Sequence, residues 1–328
     1  MSRTINFIDA ITEAMHQEME RDERVFILGE DIGLSGGVFK ATAGLHEKFG
    51  EERVLDTPLA EGIIIGASIG CAMVGLRPVP EIQFSDFITP AMDQLVQQAS
   101  KLRYRSAGGY SCPITVRVCC GGGVGGGLYH SQENAAWFVH EPGLKVVMPS
   151  TPYDAKGMLL AAIRDPDPVI YFEHKKLYRT VKGEVPEGDY TVPIGPAAVR
   201  REGRDMTILT YGYMTVIVLE AAERMAHRGI DAEVIDVRTL APLDKDTILN
   251  SVRKTNKCLI VHEDKQTMGI GAELAAIVSE EAFEDLDGPV VRITGPDVPA
   301  IPFSPPLEKA WLVNTDKVAA AMERLAAY

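Results

Sequence analysis

Short apolar runs of strand length alternate with segments of helical period along most of the chain, and this alternation limits the possible folds more than any other feature. Strands are expected at 25–28, 53–55, 79–84, 113–119, 144–148 and 169–173, with helices at 6–20, 59–76, 90–105, 131–140 and 152–164. In the first helix Ile8, Ile11, Met15 and Met19 share a face, with Asn6 placed as N-cap. Two strands joined through a helix lie parallel in one sheet, so the pattern predicts an α/β chain with mostly parallel sheets and helices on both faces. From 182 to 195 the period fades into Gly183, Pro186, Gly188, Pro193 and Gly195. The alternation then restarts, with strands at 206–211, 232–237, 257–262 and 290–294 and helices at 214–228, 243–255 and 270–283. At roughly 150 residues per domain, 328 residues make two domains. The expected division is 1–182, a linker at 183–197, and 198–328. The proline-rich segment 295–306 is expected to be extended, ahead of a last helix at 315–327 capped by Asn314.

Charge excludes one class of partner. The chain has 33 Lys and Arg against 46 Asp and Glu, a net charge of −13, where a nucleic-acid footprint is basic. Its longest uncharged apolar run, 62–76, has 15 residues, and a membrane span needs about 20. Asp9 and Glu13 precede any signal-peptide core, so a cytoplasmic address is expected. The five cysteines, at 71, 112, 119, 120 and 258, include no Cys-x-x-Cys pair and are read as buried thiols.

Three features carry chemistry. In Asp56-Thr-Pro-Leu-Ala-Glu61 a strand end leads through Pro58 into a helix, which puts Glu61 near a sheet edge where open α/β folds bind ligands. Glu61 is equally an acid suited to the first turn of a helix. Gly62, Gly66 and Gly70 share one face of that helix and permit close backbone approach, within the chain or across a subunit contact. The run Gly121-Gly-Gly-Val-Gly-Gly-Gly has six glycines in seven residues, too costly in backbone entropy for a strand or helix, and is read as a loop kept for access or motion. It lacks the ending of a phosphate-binding P-loop. His130 follows it, before a helix capped by Ser131, as an imidazole for proton transfer or a surface histidine. The other histidines have no paired metal spacing.

With these residues in view, the sequence closely resembles the β subunit of the thiamin-diphosphate-dependent decarboxylase component of 2-oxo acid dehydrogenase complexes, in the transketolase superfamily. The matching segments include Gly29-Glu-Asp-Ile-Gly, Gly36-Gly-Val-Phe-Lys-Ala-Thr-Ala-Gly-Leu, Asp56-Thr-Pro-Leu-Ala-Glu-Gly, His130-Ser-Gln, Pro142-Gly-Leu-Lys-Val-Val-Met-Pro-Ser and Asp236-Val-Arg-Thr-Leu-Ala-Pro-Leu-Asp, in family order. The resemblance implies a pyrimidine-binding domain followed by a transketolase C-terminal domain. It implies that Glu61 bonds the aminopyrimidine nitrogen of the cofactor, with Gln83, Phe87 (by stacking) and Leu59 as further contacts. It makes His130 the histidine that assists acyl transfer to a lipoyl arm.

The diphosphate–magnesium motif of the superfamily, Gly-Asp-Gly followed by Asn-Asn, does not occur in this sequence. The resemblance therefore implies that this chain holds the pyrimidine half of thiamin diphosphate and that an α subunit brings the diphosphate and Mg²⁺. The assembly implied is an α2β2 heterotetramer with a second β copy, docked on a lipoyl acyltransferase core and acting on a small 2-oxo acid. A potassium ion near Ala162, Asp165 and Asp167 is a further carry-over. Leu128-Tyr-His-Ser-Gln and Tyr171-Phe-Glu-His-Lys-Lys-Leu-Tyr-Arg point to a branched-chain substrate, with pyruvate or acetoin as the alternative; Cys119-Cys120 departs from the family pattern. The rival readings are a nucleotide-dependent oxidoreductase built on the glycine loop and a non-catalytic scaffold subunit.

Overall fold

The computed structural model describes residues 2–328. The chain divides into two compact units. One comprises residues up to 120 and 137–194; the other comprises 195–328 together with 121–136, a segment the sequence assigned to the first domain.

In the first unit the parallel strands run in the order Lys145–Val147, Val169–His174, Thr115–Cys120, Arg77–Ile82, Val25–Gly29, Val54–Asp56. The central strands Thr115–Cys120 and Val169–His174 are buried along their whole length, as expected for a sheet covered on both faces. The helices Phe7–Arg21 and Pro152–Arg164 pack on each other and bury Ile11, Met15, Leu159 and Ile163. Asn6 stands at the expected N-cap position, where its backbone N–H and side-chain amide donate to Asp9. From Val25–Gly29 the chain steps outward to Val54–Asp56, then crosses back to Arg77–Ile82 on the opposite flank. The strand order thus reverses between Val25–Gly29 and Arg77–Ile82, and open sheets bind ligands at the carboxyl ends flanking such a point.

Three departures from the sequence reading stand out. The expected helix 90–105 is a 3₁₀ stretch Ser85–Ala91, a π turn Gln94–Ala99 and a short helix Leu102–Arg105. Pro90 has no backbone N–H to donate to an α-helical ladder, and the segment takes other hydrogen-bond spacings. The linker begins as a strand, Lys182–Pro186, paired antiparallel with Ser2–Asn6. Finally, a helix Pro305–Trp311 begins inside the segment expected to be extended, with Pro305 and Pro306 in its first turn, where a missing N–H costs nothing.

In the second unit the strand order is Val291–Gly295, Cys258–Lys265, Met206–Thr210, Ala232–Asp236, Ala198–Arg201, parallel except for the last pair. Its core joins Ile208, Val234 and Val261 from the sheet to Val218, Ala222 and Met225 of helix Met214–Ala226 and Val318, Met322 and Leu325 of helix Thr315–Ala326. Asn314 caps that last helix, accepting from the Lys317 N–H. Among the described residues no helix is long and apolar enough to cross a membrane.

The strand Cys258–Lys265 buries His262, stacked on Tyr211 with ring centroids 6.1 Å apart. Burial pulls its imidazole down to about 4, with the charge of Arg292 acting in the same direction and the Asp264 backbone opposing. Between that value and its ordinary 6.5 the unfolded chain binds the extra proton, so stability is full above 6.5 and falls as pH drops towards 4. We expect this residue to remove about 2 kcal/mol between pH 7 and pH 5. Denaturant midpoints measured at both pH values will show a smaller difference for His262→Phe than for wild type; equal slopes would assign the acid sensitivity to other groups.

Candidate active site

Glu61, Leu59, Gln83 and Phe87 lie in the first unit on the segments that follow the carboxyl ends of Val54–Asp56 and Arg77–Ile82, beside the reversal of strand order. The turn after Val54–Asp56 is tied to the neighbouring strand end, because Thr57 N–H donates to the Gly29 carbonyl (2.9 Å) and Gly33 N–H donates to Asp56 Oδ1 (2.6 Å). Pro58 and Leu59 then lead into the helix Glu61–Met73, and the Leu59 side chain is 82% exposed. Ala60 stands at the N-cap without a side-chain oxygen to offer, so Glu61 is the acid that faces the positive end of the helix. Gln83 follows Arg77–Ile82 directly and donates from Nε2 to the Glu30 carbonyl (3.0 Å), joining the two strand ends on either side of the reversal. Phe87 is 36% exposed and meets Phe84 edge-on, centroids 6.2 Å apart.

Glu30 stands in the Gly29-Glu-Asp-Ile-Gly segment that carried the resemblance, but nothing in its local sequence marks it as a site residue. Its carboxyl is buried, and Oε1 has no hydrogen-bond partner. Burial pushes this group up, and the charges of Glu61, Asp31 and Glu81 add to the push. An unpartnered buried oxygen, a second carboxyl at a helix start, an exposed leucine and a half-exposed aromatic ring suit a nitrogen-bearing aromatic ring that offers hydrogen-bond donors and a flat face. The residues therefore fit the aminopyrimidine half of thiamin diphosphate.

The glycine-spaced helix divides between its two readings. A Cβ at Gly62 would lie 3.0 Å from the Pro90 carbonyl oxygen, a close approach within the chain. At Gly70 a Cβ would meet nothing within 4 Å, so that end of the stripe is open.

His130 belongs to the segment grouped with the second unit. Gly121 N–H donates to the Gln132 carbonyl (3.0 Å) and closes the loop at its base. The loop is not left to move freely, which corrects the sequence reading: Gly122 N–H donates to Glu263 Oε1 (2.7 Å), while Gly123 and Gly125 donate to Glu308 Oε1 (2.9 and 3.2 Å). The following helix starts at Ala135, later than expected, and Ser131 does not cap it. Glu133 accepts from the Ala135 N–H at 2.9 Å and from the Tyr211 hydroxyl at 3.0 Å. Burial pushes the Glu133 carboxyl up, with Asp264 adding to it. His130 itself is half-buried.

The potassium expectation meets a set of engaged donors. Lys145 Nζ bonds both oxygens of Asp165 (2.7 and 2.6 Å), Arg103 bonds Asp167, and the Ala162 carbonyl accepts from the Asp165 N–H. An ammonium already holds the carboxylate that a potassium ion would use, so the set fits that ion poorly. Among the described residues no group of three or more His, Cys, Asp or Glu stands together to hold a metal. Cysteines 112, 119, 120 and 258 are buried as read and Cys71 is half-buried; burial pushes the Cys112 and Cys258 thiols up to about 12.

The transketolase pyrimidine-binding domain family matches residues 3–181, and the transketolase C-terminal domain family matches residues 195–318. The 2-oxoisovalerate dehydrogenase subunit beta of Bacillus subtilis is 58% identical over 99% of both chains. The chain belongs to the β subunits of the 2-oxo acid dehydrogenases. Within this family the pyruvate dehydrogenase E1 component subunit beta of B. subtilis is 47% identical over 94% of this chain and 95% of its own length. The acetoin:2,6-dichlorophenolindophenol oxidoreductase subunit beta of the same organism is 46% identical over 97% and 96%. A split-gene transketolase, solved as an inactive β4 tetramer, shares the fold with a TM-score of 0.79 at 24% identity, covering 98% of each chain.

Proposed function

We propose that this chain is the β subunit of an α2β2 2-oxo acid dehydrogenase of the cytoplasm that decarboxylates a branched-chain 2-oxo acid and passes the acyl group to lipoamide on an acyltransferase core. The observation that carries the proposal is the 58% identity to a 2-oxoisovalerate dehydrogenase subunit beta over 99% of both chains, against 47% for the pyruvate relative. Thiamin diphosphate, when bound, supplies a carbon nucleophile and takes up the electron pair left by carbon dioxide. Glu61 would hold a proton between its carboxylate and the pyrimidine ring, Phe87 would stack on that ring, and Leu59 and Gln83 would line it. His130 delivers a proton from its imidazole to the sulfur that leaves as a thiolate during acyl transfer.

The split of the cofactor between subunits rests on the missing diphosphate motif, so the α subunit brings Mg²⁺ and the groups that hold the diphosphate. The exposed Leu59, Ile63 and Val74, with the open Gly70, give the helix Glu61–Met73 and its flanks an apolar face for partner chains. The test is co-expression with the α subunit, followed by cofactor-dependent decarboxylation of 2-oxoisovalerate and pyruvate side by side. Activity is expected only in the mixture and faster on 2-oxoisovalerate. Faster turnover of pyruvate would keep the mechanism and overturn the substrate, and activity of this chain alone would overturn the split site.

A further inference from the structure

We propose that Glu308 and Glu263 are positioning residues for acyl transfer: they clamp the glycine loop in one conformation and thereby hold His130 ready. The proposal rests on the proton-donor role assigned to His130. A segment with six glycines in seven residues samples far more backbone conformations than an ordinary sequence of its length, so a histidine at its end is seldom in one place unless the loop is held.

The hold is visible and specific. One oxygen of Glu308 accepts from Gly123 (2.9 Å) and from Gly125 (3.2 Å), spanning Val124, while Glu263 Oε1 takes the Gly122 N–H (2.7 Å). Gly123 and Gly125 have φ of +79° and +73°, left-handed values that turn successive N–H groups towards one side. Such a nest of N–H groups commonly binds an anion. Here the acceptors are the chain's own side chains. Glu263 and Glu308 are 3% and 8% exposed, so water competes little for their oxygens.

The segment that carries Glu308 also braces the loop through apolar contacts. A Cβ on Gly127 would come within 3.0 Å of the Phe303 ring, and one on Gly122 within 3.0 Å of Ile301 Cδ1. At Gly127, where φ is +69°, the backbone itself favours glycine, so both the loop composition and the two carboxylates serve one conformation. Glu263 lies 141 positions from Gly122, and Glu308 lies 185 and 183 positions from Gly123 and Gly125, in sequence neighbourhoods without a catalytic motif.

The test uses the α2β2 enzyme with Glu308→Leu, which removes the acceptor, and Glu308→Gln, which keeps an oxygen without the charge and preserves side-chain size should the leucine variant fold poorly. Hydrogen exchange of peptides covering 121–130 reads the clamp directly. Exchange is expected to rise about tenfold or more in Glu308→Leu, the ratio that one lost charge-assisted hydrogen bond produces, and less in Glu308→Gln. Acylation of a lipoyl domain should fall by a similar factor, while decarboxylation read with 2,6-dichlorophenolindophenol, which bypasses the lipoyl step, stays within about twofold. Unchanged exchange would overturn the clamp. Faster exchange with both rates falling together would reduce the glutamates to a structural role, and faster exchange with neither rate changed would sever the loop from the chemistry. His130→Ala runs as the control: if it acylates the lipoyl domain at the wild-type rate, the reading of His130 fails, and the catalytic half of the proposal with it, while exchange still decides the clamp.

Discussion

Glu61→Gln in the reconstituted enzyme is expected to lower turnover by about 10²- to 10⁴-fold, the range seen when a positioned acid–base group is lost, without unfolding the chain. The fold should survive because Glu61 is half-buried at the first turn of the helix Glu61–Met73, where an acid contributes about 0.3–1 kcal/mol through the helix dipole. The melting temperature should therefore change by about 3 °C or less. Glutamine keeps the size and one acceptor oxygen but cannot share a proton, so cofactor affinity should fall far less than turnover. Glu61→Asp withdraws the carboxylate by one methylene and should give an intermediate rate. The charge of Glu61 is also one of those pushing the neighbouring Glu30 carboxyl up, so Glu30 should titrate lower in the glutamine variant. Steady-state decarboxylation of 2-oxoisovalerate, with thermal melts of the same preparations, decides the matter. Turnover within threefold of wild type would remove Glu61 from the mechanism.

Periodicity told which faces are buried more reliably than which hydrogen-bond ladder carries them. Ala91, Leu95, Ala99 and Leu102 fall on one face of a helical pattern, and all four are buried, yet the backbone beneath them passes from 3₁₀ to π to α geometry around Pro90. The pairing of Ser2–Asn6 with Lys182–Pro186 left no trace, because neither segment has an apolar run and the partners are far apart in sequence. Glu61 was legible because it stands in a short motif where strand end, proline and helix start coincide. Glu30 was not, since what marks it is an oxygen left without a partner, a property of packing. The clamp on the glycine loop is hidden for the same reason: Glu263 and Glu308 reach it from just beyond the expected strand 257–262 and the proline-rich segment 295–306, where no motif marks them. The local sequence could say that the loop was costly to order; only the tertiary structure says what orders it.

Arg117→Met is expected to cost the first unit about 3–5 kcal/mol, although methionine fills much of the same volume. Arg117 is 1% exposed on the central strand Thr115–Cys120. It grips Glu173 with two parallel bonds, Nε to Oε1 at 2.6 Å and Nη2 to Oε2 at 2.8 Å, and bonds Glu81 through Nη1. Tyr178, in the short helix Leu177–Thr180, donates to Glu173 Oε2 at 2.6 Å and lies 3.0 Å from the Cys119 sulfur, so three strands and a helix meet in one buried polar cluster. Burial alone would pull the guanidinium down, but Glu173 and then Glu81 outweigh it and hold Arg117 well above its ordinary value. Burial pushes Glu81 up and the arginine charge opposes that push, so removing the arginine leaves carboxyls that must either stay charged in a dry interior or bind protons. That choice makes the penalty depend on pH. Without the opposing arginine charge, burial alone acts on the Glu81 carboxyl and raises it further above the unfolded chain, so the excess instability is small at low pH, where folded and unfolded chains are both protonated, and grows as pH rises through the ordinary carboxylate range. A cavity or lost packing would cost the same at every pH. Denaturant unfolding of wild type and Arg117→Met at pH 5 and pH 8 separates the two causes. A difference that does not grow with pH would assign the loss to packing, and restoration by adding Glu81→Gln and Glu173→Gln would confirm that the arginine is kept for the two charges it neutralises.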